Sequence, residues 1–242
     1  MMAPRWCLIA GAELRMLRRS APAVAMGVVL PLALGLLIVW AEHDTGRAGR
    51  GTSSGLQLAI LLTLTVHGMG TTTLVSRRSQ SVLKRLRTSG ASDAAVLTGT
   101  LVPSALLMVL QAAVLIAAGG ARLPGRPWAP IAAVGCGILV AGGYAVITAA
   151  WTAAPELAQL TTAPLALTLL GGAFWAARTP APEVTPWMLA LPGVPVIQLA
   201  RLGWDEPGMT TTGGLAAAAA LLILAGVAAL VAARAMRWDP RR

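Results

Sequence analysis

Lysine occurs once, at Lys84, and no Gly-x-x-x-x-Gly-Lys-Ser/Thr run exists in the 242 residues. Without that loop there is no backbone cradle for nucleotide phosphates, which excludes a conventional P-loop ATPase. Cysteine occurs twice, at Cys7 and Cys136, and histidine twice, in no spacing that suits a metal. Charged residues make up only 12% of the chain, whereas a soluble domain carries about 25%. Phenylalanine and tyrosine appear once each, and only nine residues are acidic. An ordinary soluble domain is therefore excluded.

What is present is apolar. Hydrophobic residues reach 56% and the mean hydropathy is +0.72. Six runs, 21–41, 56–75, 94–118, 129–154, 157–177 and 210–233, contain no Asp, Glu, Lys or Arg. Each is long enough to cross a hydrocarbon core of about 30 Å as a helix. The first run exceeds the 7 to about 15 residues of a signal-peptide core, so it reads as a retained span. A seventh apolar stretch, 184–200, holds Pro186, Pro192 and Pro195. These prolines remove backbone donors, so the stretch is expected to be re-entrant or interfacial. The fold class expected is all-α integral membrane: one domain over 1–242, six transmembrane helices, an N-terminal amphipathic interfacial helix and an outer re-entrant segment before helix six.

The net charge of +10 sits in short clusters beside apolar runs and not on a continuous polar face, which argues against nucleic acid and for membrane orientation. With six spans, Arg5, Arg15, Arg18, Arg19, Arg77, Arg78, Lys84, Arg85, Arg87, Arg234, Arg237, Arg241 and Arg242 fall on one side, thirteen in all. Only six, Arg47, Arg50, Arg122, Arg126, Arg178 and Arg201, fall on the other. The positive-inside rule then places both termini in the cytoplasm. Trp40, Trp128 and Trp175 lie at the outer helix ends and Trp151 at an inner one, where an amphipathic ring meets the headgroups. This topology keeps Cys7 and Cys136 apart, so no intramolecular disulfide is expected.

Two basic-side segments carry pattern. In the leader, Trp6, Ala10, Leu14 and Leu17 recur at helical spacing opposite Arg15, Arg18 and Arg19, with Leu8 and Glu13 blurring the stripe. After the second run, a helix over about 77–90 would align Ser79, Val82, Leu83 and Leu86 in one ridge, surrounded by Arg77, Arg78, Lys84, Arg85 and Arg87 and stopped at Gly90. Such a ridge suits docking on a partner protein, and the apolar ridge is expected to outweigh any single surrounding charge such as Arg78. A positive-inside loop lying on anionic lipid is the alternative. Pro155 and Glu156 form a tight hairpin between helices four and five, where Glu156 caps helix five or touches the same partner.

Ion-coupled carriers place ionisable groups inside the bilayer, and here only His67 titrates within a span. His67 and Gln111 read first as interhelical hydrogen-bonding residues. Ser104 with His67 is the nearest candidate nucleophile and base, with no Gly-x-Ser-x-Gly turn to support them. No catalytic, cofactor-binding or metal residue is assigned.

The order of features resembles the permease subunit of ABC transporters of the type-2 exporter class, in the branch of small bacterial drug and antibiotic exporters. The resemblance rests on the leader, the six runs, the Arg- and Leu-containing segment from Arg77 to Ser92, Gln111 in helix three, Leu169-Leu-Gly-Gly-Ala-Phe-Trp175, and Pro186-Trp-Met with Pro192-Gly-Val-Pro195. Gln80-Ser81 stands where that class commonly has a glycine, and Trp175 where a proline often follows the phenylalanine. The resemblance implies two copies of a separate ABC ATPase that carry ATP and magnesium, and a second permease half in a homodimer or heterodimer. It implies a bacterial plasma membrane as the site of action. It makes Ser79, Val82, Leu83, Leu86 and Arg87 the coupling residues, Glu156 a secondary one, and His67, Gln111 and Phe174 candidates for the translocation path. Few aromatics in the spans favour a small hydrophobic or amphiphilic cargo over a glycan. A polytopic scaffold or sensor, or an intramembrane enzyme using His67 and Ser104, stays open as an alternative.

Overall fold

The computed structural model describes residues 5–17, 20, 24–45, 49–88, 90–120 and 123–236, with Arg5, Leu17, His43, Asp44, Thr45, Lys84 and Arg87 described by backbone alone. Arg18, Arg19, Arg47, Arg122, Arg237, Arg241 and Arg242 of the charge count lie outside the described residues. Helices make up nearly all of the described chain, which contains no strand.

The leader is helix α1 (Arg5–Leu17). A π-helical turn, Ala25–Val29, leads into α2 (Leu30–Thr45), and together they supply the first span, Ala25–Glu42. The second span is continuous from Arg50 to Ser79, built from α3 (Arg50–Leu61), a π-helical stretch Leu62–Gly68 and α4 (Met69–Ser79). It is the most buried of the six. At thirty residues and 1.5 Å each it is about 45 Å long, more than the hydrocarbon core requires. A short helix α5 (Val82–Thr88) follows. The remaining spans contain α6 (Asp93–Ala118), α7 (Trp128–Trp151), α8 (Ala158–Arg178) and α10 (Thr211–Ala235), with α9 (Gly193–Gly203) between the last two. Six helices are thus long and apolar enough to cross a membrane, and their starts and ends follow the uncharged runs.

Local chemistry sets the ends. Ser92 accepts from the Ala95 amide at the start of α6, and Thr210 from the Gly213 amide at the start of α10. The sixth span packs along α7 through small residues: a Cβ on Gly143 would come within 2.8 Å of Ala228 Cβ. Such close approach replaces the hydrophobic drive that is missing between helices in lipid. Leu106, Leu110, Ile131, Leu139, Leu167, Leu222, Ile223 and Leu230 project outward, an apolar surface suited to acyl chains and not to water.

The segment 184–200 keeps its helix after three prolines. Pro186 opens a 3-10 turn (Pro186–Ala190), Pro192 is the residue before α9, and Pro195 lies in its first turn, where no intrahelical donor is lost. All eleven residues of α9 are buried. Gly51 abuts Arg201, Gly55 abuts Ile197, and Ala59 shares a cluster with Val194, so α9 runs antiparallel to α3 with Gly193 deepest. A Cβ on Gly193 would fall on the Leu169 carbonyl oxygen and the Ala173 amide of α8. Only glycine permits this approach.

The helix expected over 77–90 is corrected. Span two continues through Arg77, Arg78 and Ser79, and the chain breaks at Gln80 and Ser81, where Ser81 adopts φ 57°. Ser79 therefore ends α4 and does not share a ridge with Val82, Leu83 and Leu86. A left-handed backbone is the glycine conformation, so the break occupies the position where the resembling class commonly has glycine. Helix α7 also stops earlier than 154, at Trp151, with Thr152 extended, and Glu156 sits exposed in a 3-10 turn (Pro155–Leu157).

Candidate functional site: the coupling turn and the cleft above it

The end of the bundle that carries α5 is tied together by two arginines at the end of α4. Arg77 makes a two-pronged contact with Glu13 of the leader, Nε to Oε1 at 2.8 Å and a terminal nitrogen to Oε2 at 2.9 Å. The Glu13 that blurred the leader's apolar stripe is thus the residue that fixes α1 to span two. Ile9, one turn earlier, packs where a Cβ on Gly99 of α6 would go, so the leader also crosses span three. Trp6 and Leu14 of the leader are exposed. Arg78 is buried and donates to the backbone carbonyls of Ala149 and Thr152 at the end of α7. It belongs to the interior and not to a solvated surround.

The apolar ridge of α5 is likewise turned inward, a correction to the expected docking face. Leu83 is fully buried with Ala91 and Val96, and Ile9, Leu86 and Met236 pack against them. Burying Leu83 removes apolar area from water. What α5 and the preceding turn expose is polar: Ser79, Gln80, Arg85 and Thr88. Arg85 donates to the Gln80 carbonyl at 3.1 Å and so braces the turn. Val82 is half-buried. The side chain of Arg87, expected to act with this group, lies outside the described residues. The turn that holds Glu156 packs against α4, which brings it to the same end of the bundle.

Beside these ties lies a cleft of about 600 Å³, between α1, the π-helical parts of spans one and two, α4, α6 and the start of α8. Ser104 lines it. His67 does not: its Nε2 lies 3.1 Å from Thr148 Oγ1 of α7, and its ring meets Tyr144 edge-on at 5.9 Å. The Ser104 hydroxyl donates to the Leu101 carbonyl at 2.8 Å, and no hydrogen bond joins it to His67 among the described residues. The candidate nucleophile and base are therefore not assembled as a pair.

Gln111 knits spans. Its amide nitrogen donates to the Gly27 and Val28 carbonyls at 3.0 and 3.2 Å, and its oxygen accepts from Thr65 at 2.8 Å. It thereby pins the π-helical turn of span one to that of span two. Such turns leave carbonyls without their usual intrahelical partners, and a neighbouring amide supplies what is missing. Phe174 is half-exposed on α8, one turn from Arg178 and away from the cleft. Of the three residues expected along a path, none lines the cleft.

The opposite end holds a cluster that charge counting missed. Arg201 Nε donates to Thr52 Oγ1 at 2.8 Å and lies 3.3 Å from Glu206 Oε1, while its terminal nitrogen donates to the Thr179 carbonyl and Gln198 Oε1. Glu206 in turn accepts from the Thr52 amide and hydroxyl at 2.8 and 2.7 Å. Burial pulls the Arg201 pKa below its usual value and the Glu206 charge opposes this. The cluster binds α9 to the first turn of α3, where a carboxylate also suits the helix dipole. Thr52 lies 149 residues from Arg201 and 154 from Glu206, so no local signal ties it to them.

Six apolar spans, the second of them the most buried, a leader bound across spans two and three, and a short polar-faced helix at one end define a multi-pass helical membrane protein. Residues 5–202 match the family model of the ABC-2 type transporter, and the chain belongs to that family. It is a transmembrane permease component of an ABC transporter. No curated protein matches the chain.

Proposed function

We propose that the chain is the permease half of an ATP-driven exporter that moves a small hydrophobic or amphiphilic compound, a drug, antibiotic or lipid-like molecule, across a bacterial plasma membrane. Both termini face the cytoplasm, a second permease half completes the pathway as homodimer or heterodimer, and two ABC ATPase subunits bring ATP and magnesium. The observation that carries the reading is the family match over 5–202. The thirteen-to-six basic asymmetry and the missing phosphate loop support it.

The ATPase contact belongs to the exposed turn and outer face of α5, Ser79, Gln80, Arg85 and Thr88, with Arg87 and Glu156 beside it. Val82, Leu83 and Leu86 act as the foundation that transmits force. A displacement of this turn reaches the leader through Arg77 and Glu13 and span four through Arg78, so the inner halves of several spans move as a unit. This supports alternating access driven from one end.

The test is reconstitution of the chain with its ATPase. Export should require ATP and survive collapse of the proton gradient. Arg85→Glu with Gln80→Glu should lower ATPase co-purification by about tenfold or more, since like charges now face the surface that recognised an arginine. Export by the purified chain alone under an imposed pH gradient would overturn the reading. His67→Gln, which keeps a hydrogen-bonding group near Thr148 but cannot titrate near neutrality, should leave export within about twofold of wild type and its pH profile unchanged.

A further inference from the structure

The cleft has an unusual hydrogen-bonding balance. Five of its hydroxyls, Thr72, Thr73, Thr100, Ser104 and Thr162, each donate their proton to a backbone carbonyl three or four residues earlier, at 2.7 to 2.9 Å. A hydroxyl that has spent its proton in this way keeps its lone pairs as acceptors. Among the described residues the cation on the lining is Arg77, whose guanidinium is engaged with Glu13, Gln80 and Met16. The walls therefore offer many acceptors and few donors. Between them run Met16, Met26, Met69 and Leu64, and thioethers adapt to varied apolar shapes.

The cleft extends from the level of Arg77 to that of Leu64 along span two, about 20 Å at 1.5 Å per residue. Its volume, about 600 Å³, lies in the range of small-molecule sites. Ser20, Ser76 and Gln159 add a few donors to the lining, but acceptors outnumber them, so a head group that brings its own N–H donors is the better paired one there.

We propose that this cleft is the loading site of the permease and that it selects amphiphiles whose head group carries N–H donors, a primary ammonium above all, with the apolar tail along the methionine wall. The inference rests on the export reading above and names the substrate class within it. Two sources share the chemistry, a free alkylamine and a membrane lipid with an ethanolamine head.

The probe is radiolabelled decylammonium, measured on the full chain in phosphatidylcholine nanodiscs as binding in excess of empty discs. Decyltrimethylammonium has the same charge and tail but no N–H donor, and decyl sulfate inverts the charge. The primary ammonium should bind about tenfold more tightly than the trimethyl analogue, the equivalent of about one charge-assisted hydrogen bond, and decyl sulfate should bind more weakly still. Thr72→Val with Thr73→Val should erase most of that preference. Equal affinity for the two cations on the wild-type chain, or a preference untouched in a folded double variant, overturns the proposal. Phosphatidylethanolamine discs separate the sources, since a lipid occupant lowers the apparent affinity for decylammonium and a free-amine site does not. Binding is read without the ATPase, so a failed ATPase assay with intact selectivity refutes the export reading alone, and lost selectivity with intact ATP-driven transport refutes the cleft alone.

Discussion

Arg78→Ala should be among the most damaging single changes in the chain, lowering stability by about 2 to 6 kcal/mol as two buried carbonyls each lose their donor. The last carbonyls of a helix have no intrahelical donor, and they carry the negative end of its dipole. At the end of α7 the Arg78 guanidinium fills both needs, donating to Ala149 and Thr152 from a position only 2% exposed. Alanine would leave those carbonyls facing a void in place of a cation. Arg78→Lys should fall between the two, because an ammonium keeps the charge but not the fork that reaches two acceptors at once. Thermal unfolding of the purified protein in detergent reads the series, with the order wild type, lysine, alanine. An alanine variant that melts with the wild type would mean that water satisfies these carbonyls and that Arg78 ties nothing together.

The spans were legible because a missing charge is a one-residue observation repeated about twenty times, and the bilayer converts it directly into a helix. Arg78 was not legible. By position it is one of five basic residues after an apolar run, and nothing local distinguishes the one that turns inward. Leu83 shows the reverse error: its helical spacing with Leu86 identified an apolar ridge correctly, but periodicity does not say whether the ridge faces a partner or the chain's own α1 and α6. The answer is its own chain, through Ile9, Ala91 and Val96.

The break at Ser81 was hidden for a related reason. The residue lacks the glycine signature of a left-handed backbone, and the apolar spacing runs on across it. The π-helical stretches of spans one and two leave the apolar composition unchanged and so carry no sequence signal. Glu13 was visible only as an interruption, and its partner lies 64 residues away.

The cluster at the other end yields the second large effect. Arg201→Met should cost about 3 to 5 kcal/mol, because it strands the Glu206 carboxylate in a site with little water while Gln198 and the Thr179 carbonyl lose a donor. Glu206→Gln should cost less, about 1 to 3 kcal/mol, since the amide oxygen still accepts from Thr52. The double variant should be more stable than the sum of the single losses predicts, as expected for two charges that each become costly only when the other is absent. The cluster fixes the first turn of span two, about 45 Å from the turn at Ser81. Under the coupling proposed above, anchoring one end of a continuous helix lets a push at the other end become tilt and not simple drift. The same variants should therefore uncouple ATP hydrolysis from export more than they weaken ATPase co-purification. Additive losses in a double-mutant cycle followed by thermal unfolding, with coupling intact, would reduce Arg201 and Glu206 to two independent polar residues.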